Sequence, residues 1–193
     1  MRLIRFIMFR AALLALCLTP SMSGLALEAS DEPTIATSYD SKADTTQIRA
    51  SIVIKASPKA VWFTLSDCDN APKVIPDLES CKVIERDPAS RWDIREHVIS
   101  PRLLPRFKTI VRNEFTPCQR LKFKLLEGDL RLSDGSWTLK AQGDTTLLSY
   151  EAVIATKISV PQFIITQSIE SDFPKMLKAI QKTSLQQTKA PAC

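Results

Sequence analysis

Two carboxylates stand on runs whose alternating neighbours are apolar. Glu96 has the parity of Trp92, Ile94 and Val98, and Glu127 that of Leu121, Phe123 and Leu125. Enclosed among such side chains, a carboxyl group stays protonated to higher pH and can serve as a general acid or base. Asn113 shares its parity with Val111 and Phe115 and would bring an amide to the same inward side. The single histidine, His97, alternates with Asp93 and Arg95, which reads as a solvent face. A Ser-His-Asp or Cys-His relay would need that ring turned inward, and no G-x-S-x-G elbow accompanies it. Four glycines in the whole chain leave no glycine-rich phosphate cradle. The cysteines have no C-x-x-C spacing and lie far in sequence from His97, so neither a metal nor a cofactor is expected. No catalytic assembly emerges, and the apolar side chains become the functional candidates.

The elements that position them begin after a distinctive leader. Residues 1–26 run from a basic start through the apolar stretch Ala11–Leu18 to Pro20 and then to small residues. That order is the order of a secretory signal, with Gly24 and Ala26 suiting cleavage after Ala26. A membrane span needs about 20 apolar residues, and Arg10 interrupts any such run. A retained anchor is the alternative; export to a bacterial periplasm is the expectation. The leader also explains the charge. The chain carries +5, but Arg2, Arg5 and Arg10 account for three of its 26 Lys and Arg residues. The remaining 23 against 21 Asp and Glu give +2, so no nucleic-acid partner is implied. In an oxidising compartment Cys68, Cys81, Cys118 and Cys193 would form disulfides, with three possible pairings. The short enclosed loop favours Cys68 with Cys81.

With 193 residues, 45% of them hydrophobic, the chain suits one globular domain with attachments. Residues 27–46 are polar and small and read as a mobile lead-in. The folded domain is expected over residues 47–185, with a loose tail at 186–193. Ile48, Ala50, Ile52 and Ile54 alternate with polar residues, the period of a half-buried strand. Ser57 then suits a helix N-cap with Pro58 at the first helical position, and Pro72 and Pro76 keep a following helix short. Six antiparallel strands follow: Cys81–Glu85, Trp92–Ile99, Phe107–Phe115, Leu121–Glu127, Leu130–Lys140 and Thr145–Ile154. Apolar parity shifts across Asp134-Gly135, which predicts a bulge there. After Thr156 the period becomes helical, with Ser159 available as cap. Pro174 should kink or split that helix, with Asp172 capping a second half.

The fold class is therefore α+β: a curved seven-stranded antiparallel sheet wrapped on one long C-terminal helix, with two short helices after the first strand. Such a sheet closed by one helix leaves interior volume, and concave apolar volume is what ligand sites are made of. The run SIVIKASPKAVWFTLSDCDNAPKVIPDLESCKVIE carries Ser57-Pro58, Val61-Trp62, Asp67 and Pro76. Further on come Gly128, Gly135-Ser136-Trp137, the stretch Thr146 to Tyr150, and a last helix with Pro161 and Met176-Leu177. In order and spacing these resemble the START-type, polyketide cyclase and coenzyme-Q-binding proteins of the helix-grip superfamily, over about residues 47–183. The resemblance implies a cavity for an apolar ligand between sheet and C-terminal helix.

On that reading Trp62 and Trp137 either line the cavity or pack the core. The same choice faces Phe107, Val111, Phe123, Leu125, Phe163, Met176 and Ile180. Gln167, a lone amide among apolar helix neighbours, would orient a ligand carbonyl or hydroxyl, or else bond to nearby backbone. Leu103 and Leu104, flanked by Arg102 and Arg106 in a proline-stiffened loop, would touch an anionic membrane surface and gate the cavity, or fold over the sheet edge. The function expected is an exported carrier of a hydrophobic small molecule, a lipid or an isoprenoid such as a quinone. The alternatives are a cyclase- or aromatase-like enzyme using Glu96 or Glu127, and an interaction module with a filled core.

Overall fold

A computed structural model describes residues 30–102 and 104–187. The leader, Leu103 and the tail from residue 188 lie outside the described residues, as do the expectations made for them. Eight strands form one antiparallel sheet: β1 (Thr34–Asp40), β2 (Thr45–Ile54), β3 (Leu78–Arg86), β4 (Trp92–Ile99), β5 (Phe107–Thr116), β6 (Arg120–Gly128), β7 (Leu130–Gln142) and β8 (Thr145–Thr156). Between β2 and β3 lie α1 (Pro58–Ser66), a 3₁₀ turn (Cys68–Asn70) and α2 (Ala71–Val74), and α3 (Gln162–Leu185) ends the fold. The strand order is β1-β2-β8-β7-β6-β5-β4-β3, so β2 pairs with β8 while β3 forms the far edge.

The count of eight corrects the expected seven. Residues 34–40 were assigned to the mobile lead-in because they show no apolar periodicity, yet they pair with β2 from Thr34↔Ser51 to Asp40↔Thr45. As an edge strand β1 buries no side chain fully; its backbone bonds to β2 hold it, with Ile35 packed against the core. Asp44, in the left-handed region at φ 51°, closes that hairpin.

Local chemistry sets the remaining ends as expected. Ser57 Oγ accepts from the Ala60 N–H at 3.4 Å, and Pro58 opens α1. The disulfide Cys68–Cys81 ties the 3₁₀ turn to β3, and Cys118 is disulfide-bonded as well. α3 departs from expectation. Pro161 occupies the N-cap position and Ser159 does not cap, while the helix runs unbroken through Pro174. Asp172 caps no second segment and instead pairs with Lys175 at 3.0 Å. No bulge falls at Asp134-Gly135: the register irregularity of β7 lies between Leu130 and Leu132, and it brings Leu130 to the same side as Trp137 while Leu132 is left off the cavity wall.

α3 packs on one face of the sheet. Leu177 and Ile180 meet Ile48, Ile52, Ile54 and Leu148 in the core, and all of these are almost wholly removed from water. At the same end Ser184 Oγ donates to Thr64 Oγ1 at 3.2 Å, locking α1 to α3. Along its middle, from Ile169 to Ile180, α3 faces space that it does not fill.

Candidate functional site

That unfilled space is a cavity of about 320 Å³. Six strands, β2 and β4 to β8, wall it on one side and Ile169, Phe173, Met176 and Ile180 of α3 on the other. Leu65, Ala71, Val74 and Ile75 from the α1–α2 segment close one end. The wall is mostly apolar because inward positions of neighbouring strands register across the sheet: Leu121 opposite Trp137, and Trp137 opposite Tyr150.

Tyr150 centres an aromatic group on this wall. Its ring lies 4.5 Å from Trp137, 5.1 Å from Phe173 and 5.9 Å from Phe123, the last nearly parallel at 17°. Burial pushes the Tyr150 phenol well above its ordinary range, so it stays protonated. Phe123 needs room, and Gly135 supplies it. A β-carbon at Gly135 would stand 2.7 Å from Phe123 Cζ and 2.4 Å from the Glu151 carbonyl oxygen.

One end of the cavity is polar, built from the face of β4 that sequence parity assigned to solvent. Asp93 and Arg95 are 1% and 4% exposed. The guanidinium binds the carboxylate through Nε at 2.9 Å and Nη2 at 2.8 Å, and Nη2 also donates to the Ser66 carbonyl. Asn113 Nδ2 donates to Asp93 Oδ1 at 2.8 Å. Phe115 lies under the guanidinium, 5.7 Å from its ring centre. Each charge in this pair is matched by a partner, which is what permits a buried ion pair to persist.

His97 follows on the same face and lines the cavity. Its Nε2 is the only buried side-chain N or O atom among the described residues without a hydrogen-bond partner. Desolvation, and next the Arg95 charge, lower its pKa to about 4, against an opposing pull from Asp93. The ring is neutral at pH 7.

β4 therefore faces opposite to the sequence reading. Trp92, Ile94, Glu96 and Val98 lie on the outer side, where Arg112 covers the Trp92 ring at 4.2 Å and Lys108 pairs with Glu96 at 3.1 Å. The inner side is polar in type but self-neutralising, so alternation of residue type alone pointed the wrong way. Glu127 is also turned out. Val111 pairs with Leu125 but Ile110 pairs with Glu127, so Leu126 is an extra residue that reverses parity after it. Neither carboxylate lines the cavity.

Of the ten ligand-binding candidates, Phe107, Val111, Phe123, Trp137, Met176 and Ile180 are placed on the cavity wall. Trp62 instead packs edge-on against Phe115, ring centres 6.0 Å apart. Leu125 is half-buried beyond the wall, Gln167 faces solvent, and Phe163 is 68% exposed. The helical face drawn through Phe163 and Gln167 was too wide, since the inward face of that half runs through Ile165 and Ile169 instead. Leu104 is half-buried in the β4–β5 loop, whose flanking residues Ile99 and Phe107 line the cavity. Tyr150, Phe173, Arg95 and His97 were missed as site residues. A broad aromatic at an inward β8 position was the readable signal for Tyr150; no signal in sequence distinguished the face of β4.

Among the described residues no cluster could hold a metal ion, and no helix is long and apolar enough to cross a membrane. The model of the family described as polyketide cyclase/dehydrase and lipid transport matches residues 54–181. A search of curated proteins finds no match. Solved structures match in fold. A STAR-related lipid transfer protein of Xanthomonas axonopodis superposes with a TM-score of 0.68 at 13% identity, covering 82% of this chain and 96% of its own. The Zhui aromatase/cyclase of Streptomyces sp. R1128 gives 0.65 at 13% identity over 76% and 97%. The human StarD13 lipid transfer and protein localization domain gives 0.64 at 15% identity over 80% and 85%.

Proposed function

The chain belongs to the polyketide cyclase/dehydrase and lipid transport family, and we propose that it binds and carries a hydrophobic small molecule, a lipid or an isoprenoid such as a quinone, after export to the periplasm. The carrying observation is the cavity itself: an apolar interior space bounded by sheet, α3 and the α1–α2 segment, with polar groups gathered at one end. Removing roughly 300 Å² of ligand surface from water at about 25 cal/mol per Å² supplies on the order of 7 kcal/mol before the cost of immobilisation. No charged anchor is needed for useful affinity.

Ile99 and Phe107 border both the cavity and the loop of Leu103 and Leu104, which favours that loop as a gate opening on an anionic membrane surface. Arg106 in the loop is held by Glu79 at 2.8 Å, leaving Arg102 as its other cation toward lipid headgroups. The basic, apolar and small-residue order of residues 1–26 supports export. A cyclase-like enzyme acting through Glu96 or Glu127 is disfavoured, because both stand outside the cavity. A module with a filled core is at odds with the open interior.

Native mass spectrometry and organic extraction of the purified mature protein test the reading. A co-purifying apolar molecule, displaced on adding dodecan-1-ol, is the expected result. A protein that emerges empty and takes up no added amphiphile overturns it.

A further inference from the structure

We propose that the cavity selects an uncharged amphiphile bearing one hydroxyl group, which pairs with His97, and that it rejects the corresponding carboxylate. The inference rests on the carrier reading and narrows its ligand class. Arg95 is the only formally charged residue on the cavity wall among the described residues, and Asp93 already occupies it through two nitrogens. Its Nη2 also donates to the Ser66 carbonyl, and Asn113 donates to the Asp93 carboxylate. An anionic headgroup brought here would meet a cation whose charge Asp93 already neutralises, and would lie beside that carboxylate. Burying an ion without a partner costs several kcal/mol.

The neutral requirement is positive as well. His97 lines the same end with a buried Nε2 that makes no hydrogen bond, a deficit that proteins seldom leave unfilled. A hydroxyl satisfies either imidazole tautomer, donating to a bare nitrogen or accepting from a protonated one. A carboxylate or a ketone can only accept. The hydroxyl is thus the group whose chemistry fits the gap whichever nitrogen carries the proton, and the aromatic wall of Trp137, Tyr150 and Phe173 would take the chain behind it.

Dodecan-1-ol, dodecanoate and 1-chlorododecane, delivered from cyclodextrin at pH 7.5, form a matched probe set for calorimetric binding. Dodecan-1-ol is expected to bind at least about 30-fold more tightly than dodecanoate. His97→Phe should lower dodecan-1-ol affinity by about 5- to 10-fold and leave 1-chlorododecane unchanged. Because His97 is the only histidine, ¹⁵N-histidine NMR of the unmutated, untagged protein reads its Nε2 directly. Its shift should move with dodecan-1-ol and stay still with 1-chlorododecane. Dodecanoate binding as tightly as the alcohol would overturn the charge selection and leave the carrier reading standing. An unmoved imidazole signal would overturn the role of His97. Failure of all three probes to bind would sink the carrier reading and this inference with it.

Discussion

Asp93 and Arg95 stand two positions apart on β4, turn to the same side and bind each other through 2.8 and 2.9 Å contacts at the cavity wall. The pair converts a polar strand face into one that can be buried, and it fixes which side of β4 looks inward. Its value lies in mutual cancellation, so each member is hazardous without the other.

Asp93→Ala should therefore destabilise the fold by about 3–5 kcal/mol, since it strands a buried guanidinium. Urea unfolding followed by tryptophan fluorescence measures this. Arg95→Met should cost less than the sum of separate effects when combined with Asp93→Leu, because the double variant removes both ions.

Gly135→Ala tests the close approach of β6, β7 and β8. The added methyl meets the Phe123 ring and the Glu151 carbonyl oxygen, and overpacking of this kind costs about 1–3 kcal/mol. Since the nearer atom is backbone, adding Phe123→Leu should restore only part of the thermal midpoint. Full recovery would show that the ring alone sets the limit.

The depressed His97 pKa gives a pH dependence with a definite sign. Between about pH 6.5 and pH 4 the unfolded chain binds a proton on this ring that the folded chain refuses. Stability from this group is complete above that window and declines as pH falls through it, by up to roughly 3 kcal/mol. His97→Phe should flatten that part of the urea stability profile, leaving the slope due to carboxylates.

Replacing Cys68 and Cys81 together by serine opens a loop spanning 13 residues in sequence. The entropic account gives a loss of about 3 kcal/mol. Because Ala71, Val74 and Ile75 close one end of the cavity just beyond Cys68, bound dodecan-1-ol should also leave faster, as stopped-flow displacement would show.

Strand periodicity, helix starts at proline and the apolar last helix make the α+β plan readable in the sequence alone, and with it the wall residues Phe107, Val111, Phe123 and Trp137. Each of these follows local alternation that tertiary structure respects. β1 was hidden because an edge strand held by backbone bonds needs no apolar pattern. The polar end of the cavity was hidden for a different reason. Asp93, Arg95 and Asn113 satisfy one another only when β4 and β5 lie side by side, and one-strand patterns carry no record of a neighbour. Glu127 was misassigned because a single extra residue, Leu126, inverts everything after it.

The pairing of Ile48 with Ala152 joins the second strand to the last one. The far side of β2 is completed only by a strand about 90 residues later, and α3 comes later still. Any segment that stops short of α3 lacks the helix that bounds the cavity, so enclosure belongs to the whole domain.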